Sequence, residues 1–542
     1  MRDLVVSLLL ITYSSQAQEY EKEINAVLIH ARYLVNSFHC TVRIPPEILT
    51  TVCSYLSIEE DVFSASQVCR YWREVLISSP SLWTRFPCRS ISRTITSLER
   101  CGSVPIQLEF DPESSIEALR NVLLHGNEIN SLTINHDIDW MPPLHNMFTP
   151  PIPSAERLHI YSCGIHVHRG EDERRKSDAF WQGLPSLRKL LVCRLDVPIG
   201  WFPIPIGQFA TPNLVHLALE NVVEGQENTT QPILDMLRGS PLLETVLIIH
   251  THPLLQETTL DYSLVSLPYL QSIELGVYEV RSRLITYLQF PPTVAVGFRS
   301  LESSDVSGNN IPPDVAASSR HVLGGINVYT VILAVATPRL GGSLRSLVRF
   351  EGAGGSLEII FQLWCMGEAL VLFDNDCVLS SFAPHLNNVG ELQIAGCYIT
   401  SLMDPDYIAT TMPNLTSINF FHCEYDDEGT MFGLVSGRGR NPWPPFSGLE
   451  RLTVLEPGPG LIEACQERKM CGTPLRTVVI GPEPSLYTPE QIAELREFVD
   501  DVRVEVPHGI LEWSVGNRIL DTWSGIDIPG LVSTIRRLIL PG

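Results

Sequence analysis

Few side chains in this sequence stand at spacings that could support catalysis. The glycine-rich run 352–356 is not followed by the Gly-Lys-Ser/Thr that holds phosphate and magnesium in a phosphate-binding loop. Ser436 lies in the run 433–437 without the spacing of a nucleophile elbow. Paired carboxylates are abundant in so acidic a chain and therefore carry no information. The sequence predicts that the chain is not an enzyme.

One group of side chains has the types that bind zinc. His159, Cys163, His166 and His168 lie close together in sequence. Cys163 also stands at the last position of an L-x-x-L-x-L-x-x-C repeat, which favours a packing role, and no Cys-x-x-Cys pair occurs in the chain. The charged run 171–176 is interpreted as a solvated loop. We therefore expect no metal and no cofactor.

Composition restricts the partners and the compartment. The 542 residues include 61 acidic and 38 basic residues, which gives a net charge of −23 and argues against nucleic acid as a main partner. Thirteen cysteines without regular pairing favour a reducing compartment, the cytoplasm or nucleus. The apolar run 4–12 is too short to span a membrane, and we expect no membrane partner. That run and the sequons at Asn228 and Asn414 leave a secreted protein as an alternative.

The segment 42–86 has the pattern of a short helical module. Pro45 and Pro46 set the entry to a helix, where a missing N–H costs nothing. Two apolar helical faces come next, which comprise Ile48, Leu49, Val52, Tyr55 and Leu56 in the first helix and Val62, Ala65, Val68, Cys69, Trp72, Val75 and Leu76 in the second. About 40 residues are too few to bury all this surface alone, so part of it should face a partner or the rest of the chain.

These residues resemble the F-box family. Residues 44–49 match its Leu-Pro-x-Glu-Ile/Leu opening, with Ile44 where leucine is usual. Residues 68–73 match its Val-Cys-x-x-Trp signature, and 80–83 (Pro-Ser-Leu-Trp) match its tail. The sequence as far as Leu108 is also similar to the large F-box-like families of mushroom-forming fungi, the basidiomycetes.

The resemblance implies docking onto the Skp-type adaptor of a cullin–RING ubiquitin ligase. By motif position, the residues that it places at the adaptor or in the adjoining core are Pro45, Pro46, Ile48, Leu49, Leu56, Val68, Cys69 and Trp72.

An imperfect L-x-x-L-x-L repeat begins after residue 125. Within each of two runs, before and after the region 280–385, its copies start 26 to 34 residues apart, close to the period of roughly 20–29 residues of leucine-rich repeats. They start at Ile129, Ala155, Leu187, Leu214, Leu243, Leu270, Val389, Leu415, Leu449 and Leu475. The alternation predicts short strands with one buried face, and a proline before many copies indicates a turn. Cys163, Cys397 and Cys423 resemble the Asn/Cys position of such repeats.

If the strands are parallel and stack into a solenoid, the residues that alternate with the buried ones line a concave face that could bind a target protein. These candidates are Arg157, His159, Lys189, His216, Glu220, Glu274, Glu391, Gln393, Asn419, Phe421 and Arg451.

The sequence thus predicts an α/β protein, an N-terminal three-helix F-box-like module followed by a leucine-rich-repeat-like solenoid with a curved parallel sheet. The predicted divisions are a helical extension at 1–41, the F-box-like domain at 42–90, a linker or cap at 91–125 and the repeat domain at 126–535, with the continuity of 280–385 left open. The predicted function is a substrate receptor of a ubiquitin ligase. The alternatives are a repeat scaffold unconnected with ubiquitin and, least favoured, an enzyme.

Overall fold

The computed structural model describes the chain between residues 22 and 505, with gaps. The described residues are 22, 26–28, 44–56, 59–111, 113–125, 128–135, 152–161, 184–193, 211–220, 230–249, 263–277, 281–300, 313–336, 344–353, 355–363, 379–395, 405–421, 446–454, 460–481 and 487–505. The apolar run 4–12, almost all of the predicted extension at 1–41, and Cys163, Cys397 and Cys423 lie outside them. The chain divides into two compact units, 1–136 and 137–542.

The first unit begins with helices and continues with a small parallel sheet. Its elements are α1 (Pro46–Ser54), α2 (Glu59–Ala65), α3 (Arg70–Ile77), a 3₁₀ turn (Pro80–Trp83), β1 (Arg85–Pro87), α4 (Ile91–Cys101), β2 (Ile106–Phe110), α5 (Ile116–His125) and β3 (Ile129–Asn135). Strand β2 pairs in parallel with both β1 and β3. The segment 91–125, expected to be a linker or cap, is therefore a helix–strand–helix unit of this sheet.

The second unit alternates short strands with turns and helices. Its first half comprises β4 (Arg157–Tyr161), β5 (Lys189–Cys193), β6 (His216–Glu220), α6 (Thr230–Arg238), β7 (Thr245–Ile249), β8 (Val265–Ser266), β9 (Ser272–Val277), a 3₁₀ segment (Arg281–Tyr287), β10 (Leu288–Gln289) and β11 (Ala295–Ser300).

The second half of this unit comprises α7 (Pro313–Leu323), β12 (Val328–Ala336), β13 (Leu344–Gly352), β14 (Gly355–Leu363), a 3₁₀ turn (Ala383–His385), β15 (Glu391–Ala395), α8 (Pro405–Thr411), β16 (Ser417–Phe421), β17 (Arg451–Val454), α9 (Leu461–Met470), β18 (Thr477–Ile480), α10 (Pro489–Phe498) and β19 (Asp501–Val504).

Two runs of parallel strands keep the order of the chain. In the first, β4, β5, β6, β7, β9 and β11 pair successively, and in the second, β15 to β19 do so. The repeat leucines stand in register, so that Leu158, Leu190 and Leu217 are Cα partners across neighbouring strands. All three are buried. The apolar face predicted by alternation is thus one continuous buried layer beneath a large, mostly parallel sheet.

A proline turn precedes many of these strands, as the sequence predicts. In the turn before β6, the N–H of Leu214 donates to the carbonyl of Thr211, 3.0 Å away, with Pro212 at the second position. Equivalent turns contain Pro185, Pro241, Pro268 and Pro413. Proline suits this position because its fixed φ matches that of the turn. Each turn therefore fixes the residue at which the next strand begins.

In the region 280–385, where the repeat pattern fades, the order of strands in the sheet no longer follows their order in the chain. Strands β12, β13 and β14 form an antiparallel meander, with β14 beside β11 and β12 beside β15, both in parallel. Among the described strands, β13 alone runs against the others in its sheet. The possible repeat at 344–347 lies on this reversed strand and is not another parallel copy. The glycine-rich run lies where β13 ends and β14 begins, and a Cβ on Gly352 would stand 2.3 Å from the carbonyl oxygen of Asn327.

The unit boundary differs from the sequence-based division. The copy beginning at Ile129 forms β3, which belongs to the first unit, so the first compact unit ends near 136 and not near 125. In the part of the chain that the structure describes, no helix is both long enough and apolar enough to cross a membrane.

Candidate functional site

Helix α1 carries apolar residues on two different faces. Leu49 is fully buried and Cys53 is nearly so, because this face of α1 packs toward α3 and the 3₁₀ turn. Ile48, Val52 and Tyr55 are 53%, 54% and 82% exposed. Their i, i+4, i+7 spacing places the three side chains along one stripe of the helix. The folded unit thus leaves an apolar helical face uncovered.

The Cys-x-x-Trp spacing has a local structural role at the start of α3. Cys69 is the N-cap residue, and its Sγ accepts a hydrogen bond from the backbone N–H of Trp72 at 3.4 Å. A side-chain acceptor at this position satisfies one of the N–H groups that have no partner within the helix. Val68, immediately before the cap, is 58% exposed. The motif therefore fixes where α3 begins and leaves Val68 at the surface.

An aromatic cluster connects these helices to the rest of the first unit. Trp83 is 1% exposed and donates its indole N–H to the carbonyl of Leu76 at 2.7 Å. Phe63 packs edge-on against Trp83 with ring centroids 5.0 Å apart, and the guanidinium of Arg100 lies 4.2 Å from the Trp83 ring centroid. The hydroxyl of Tyr71 donates to the carbonyl of Ile44 at 2.5 Å, which ties α3 to the residue before α1. The Trp83 contacts thus join α3, α2 and α4 through the 3₁₀ turn, and the Tyr71 bond joins α3 to the start of α1.

The residues that the motif placed at the adaptor or in the adjoining core differ in their solvent exposure. Pro45, Pro46, Ile48 and Val68 are exposed, and Leu56, Cys69 and Trp72 are half-buried. Leu49 is fully buried within the unit, so of the two places that the motif allowed for it, the adaptor or the adjoining core, it lies in the core. Sequence reasoning placed Val52 and Tyr55 on the apolar stripe but did not select them as contacts, although their spacing from Ile48 was the available signal. We call Ile48, Val52, Tyr55 and Val68 the exposed apolar surface.

A second candidate site is the sheet face opposite the leucine layer in the second unit. At the starts of β4, β5, β6 and β7, the Cα partners are Arg157, Lys189, His216 and Thr245. The first three are half-buried, and Nδ1 of His216 lies 2.8 Å from the hydroxyl of Thr245. In the later strands Glu391 and Gln393 are half-buried and Arg451 is exposed, whereas the side chain of Glu220 lies outside the described set.

Four predicted residues of this face are not accessible. His159, Glu274, Asn419 and Phe421 are 0%, 2%, 6% and 4% exposed. Glu274 and Asn419 lie mid-strand with a paired strand on each side, and Gly297 stands close enough to Glu274 that a Cβ there would lie 3.4 Å from its Cγ. Phe421 is a large apolar side chain, for which burial is favourable. The prediction that these four line an open binding face is therefore wrong.

Glu391 organises the polar residues of the later strands. The amide of Asn419 donates to Oε1 of Glu391 at 2.5 Å, and the amide of Gln393 donates to the same oxygen at 3.1 Å. Three of the predicted residues are therefore brought together here. They form a hydrogen-bonded group in which the carboxylate is already engaged.

Basic side chains give the first strands of the unit a positive electrostatic environment. Burial, reinforced by the charges of Arg157 and Lys189, lowers the pKa of His159 to about 3. Burial, together with Lys189 and Arg188, lowers the pKa of His216 to about 4. The pKa of Lys189 is lowered by burial and then by Arg157 and Arg188. Both imidazoles are consequently neutral at pH 7, and the remaining charge is on arginine and lysine.

The candidate zinc group cannot be assembled from the described residues. His159 is described, but Cys163, His166 and His168 lie outside the described set. Among the residues that are described, no three His, Cys, Asp or Glu side chains come together in a way that could hold a metal ion.

Comparison with known protein families identifies the N-terminal helical segment. The family model described as F-box-like matches residues 41–89, the segment that contains α1, α2, α3 and the 3₁₀ turn. No curated protein matches the chain. F-box-like domains in general indicate a role in binding the adaptor of a ubiquitin ligase. Residues 41–89 of this chain are an F-box-like domain.

Proposed function

We propose that this protein is the substrate-receptor subunit of a cullin–RING ubiquitin ligase. The F-box-like domain docks a Skp-type adaptor, and the second unit binds a target protein. Catalysis belongs to other subunits, and this chain supplies proximity and orientation. The chain needs no cofactor for this role, and it acts in the cytoplasm, the nucleus or both.

The observation that carries the proposal is the exposed apolar surface on a domain that matches the F-box-like family. Val68 and the α1 stripe of Ile48, Val52 and Tyr55 are each at least half exposed. Exposed apolar groups that cluster on one element, as the three residues of the α1 stripe do, are typical of protein-interaction sites. Leu49 on α1 and Leu76 on α3 are fully buried, so the same two helices also contribute to the core of the unit.

The sheet supports the second half of the proposal. We interpret the two parallel runs, with their in-register leucines and proline turns, as a leucine-rich-repeat-like solenoid interrupted by the β12–β14 meander. Repeat arrays of this kind present extended surfaces that bind other proteins. We also propose that the N-terminal region belongs with the F-box-like families of mushroom-forming fungi, which its sequence resembles.

Co-purification tests the proposal. The full-length chain is expressed with a Skp-type adaptor and cullin, and the proteins that copurify are identified. A receptor retains both ligase subunits in stoichiometric amounts. Recovery of the folded chain without any adaptor would refute the receptor function and leave the repeat scaffold. Glycans on Asn228 or Asn414 would instead indicate a secreted protein.

A further inference from the structure

Three basic residues lie near one another at the start of the second unit's sheet. Arg157 on β4 and Lys189 on β5 are direct Cα partners, and Arg188 immediately precedes Lys189 in the chain. Arg188 is exposed, and the other two are half-buried. We call these three residues the cationic cluster.

The described part of the chain supplies no ion-pair partner for the cationic cluster. Within the residues that the structure describes, none of its side chains has an ion pair, although elsewhere Arg89 pairs with Asp111 at 2.6 Å and Arg349 pairs with Glu351 at 2.7 Å. Arg157 also has a buried Nε without a hydrogen-bond acceptor. The downward shift in the pKa of Lys189 agrees with this, because its causes include two arginines and no acidic group.

The nearby acidic residues do not change this conclusion. Glu156 lies beside the cluster, because its carbonyl accepts hydrogen bonds from the backbone N–H groups of Arg188 and Lys189, but its exposed carboxylate forms no ion pair with a described residue. Glu244 occupies the corresponding turn position two strands away from β5. Glu274 is buried and lies on β9, three strands away from β5. Like charges placed directly opposite each other on paired strands destabilise a sheet. Arg157 and Lys189 are such a pair, although the chain as a whole has a net charge of −23. Local arrangements that lower stability in this way are common at functional sites.

We propose that the cationic cluster binds a carboxylate-rich segment of a target protein. The planar guanidinium of Arg157 can engage a carboxylate through two parallel hydrogen bonds, and strands spaced about 4.8 Å apart place Lys189 near the next anionic group. The overall negative charge of the chain opposes a long polyanion such as nucleic acid but opposes a short acidic peptide much less. This inference names the class of target that the proposed receptor would bind. Binding of the acidic segment does not depend on the proposed function, whereas ubiquitin transfer to the bound target does.

Peptide binding to the full-length chain tests the inference. The probes are a fluorescent peptide with consecutive glutamates and a matched peptide in which glutamine replaces every glutamate. A third peptide with phosphoserines at the same positions tells whether phosphate serves better than carboxylate. We expect the acidic peptide to bind and the glutamine peptide to bind at least about tenfold more weakly.

Two variants make the test specific. The double variant Arg157→Gln, Lys189→Gln should weaken binding of the acidic peptide by at least about tenfold, while its melting temperature stays equal or rises because the like-charge repulsion is removed. Arg496→Gln removes an exposed cation from helix α10, away from the sheet face, and should change the affinity by less than about twofold. Equal binding of the glutamate and glutamine peptides, or equal losses in the two variants, would overturn the inference.

The outcome is separable from that of the proposed function. Adaptor copurification is measured for the same double variant, in which the F-box-like domain is unchanged. Loss of peptide binding with retained adaptor is the expected result. Peptide binding that persists in a chain that recruits no adaptor would preserve this inference and refute only the receptor function.

Discussion

At the residue scale, Cys69 shows how a motif residue can serve local structure. Its Sγ caps α3 through the N–H of Trp72. Replacement by alanine should remove the cap and destabilise the start of α3 by about 0.5–1 kcal/mol, whereas serine, a preferred N-cap residue, should preserve it. Hydrogen exchange of the peptide covering 69–77 measures this directly. Equal exchange rates in Cys69→Ala, Cys69→Ser and the wild type would show that the thiol does not stabilise the helix.

His159 gives the sheet a pH dependence. Its folded-state pKa of about 3 lies below the ordinary value of 6.5, so the unfolded chain takes up the proton first as the pH falls. The stability contributed by the neutral imidazole is present above pH 6.5 and is lost as the pH falls toward 3. Between pH 7 and pH 5 the loss should be at most about 2 kcal/mol.

Thermal unfolding of the wild type and His159→Gln at these two pH values measures this contribution. We expect the melting temperature of the wild type to fall further than that of the variant, because glutamine does not titrate. Parallel decreases would contradict the assignment of a neutral, buried His159.

Sequence reasoning at this scale identified the residue types better than their exposure. Alternation places His159 and Glu274 on the face opposite the leucines, and the structure places them there. Alternation cannot tell whether that face is covered, because burial depends on neighbouring strands and on residues distant in sequence. Leu49 and Ile48 present the same problem, since adjacent apolar positions on a helix point to different faces.

At the element scale, asparagines reinforce the turns between strands. The amide of Asn213 donates to the carbonyl of Pro185 at 3.0 Å, and the amide of Asn414 donates to the carbonyl of Asn387 at 2.7 Å. Each bond joins one turn to the turn of the preceding strand unit. Asn213→Ala and Asn414→Ala should each lower stability by about 0.5–1 kcal/mol.

Asn213→Asp is the matched control for these bonds. Aspartate has nearly the same shape but cannot donate, and its carboxylate would face the Pro185 carbonyl. Scanning calorimetry should therefore show a melting temperature for Asn213→Asp no higher than for Asn213→Ala. A wild-type melting temperature in both variants would mean that the bond contributes nothing.

The β12–β14 meander marks the limit of element prediction from this sequence. Alternating apolar residues predict a strand but give no direction, so 344–347 could be read as another parallel copy. The structure reverses that strand because β14 begins at Gly355, directly after β13 ends at Gly352, and so short a connection joins only antiparallel neighbours. The proline turns were predictable, since their signal is local in sequence.

At the scale of the whole molecule, the two proposed binding surfaces differ in their physical character. The exposed apolar surface depends on burial of apolar area, which salt does not weaken, whereas the cationic cluster depends on charge, which salt screens. Raising the ionic strength from about 0.05 M to about 0.5 M should lower the affinity for the acidic peptide by about tenfold or more and change the affinity for the adaptor much less. Equal salt dependence of both affinities would contradict this division.

Whole-molecule organisation was only partly readable from the sequence. The F-box-like segment could be located because its motif is short and dense, and the family match at 41–89 nearly coincides with the predicted 42–90. The boundary between the two units near residue 136 could not be located from the sequence, because β3 carries the same L-x-x-L-x-L pattern as the strands of the second unit. One repeat pattern therefore serves two compact units.

The most direct test of the receptor proposal is the affinity of the purified full-length chain for a Skp-type adaptor. The double variant Ile48→Glu, Val68→Glu places two charges on the exposed apolar surface. The control variant Leu124→Glu places one charge at a position that is 82% exposed on α5, outside that surface. We expect the double variant to bind at least about 30-fold more weakly, as for removal of interface hot spots, and Leu124→Glu to bind like the wild type. Unchanged binding by the folded double variant, or no binding by the wild type, would contradict the account.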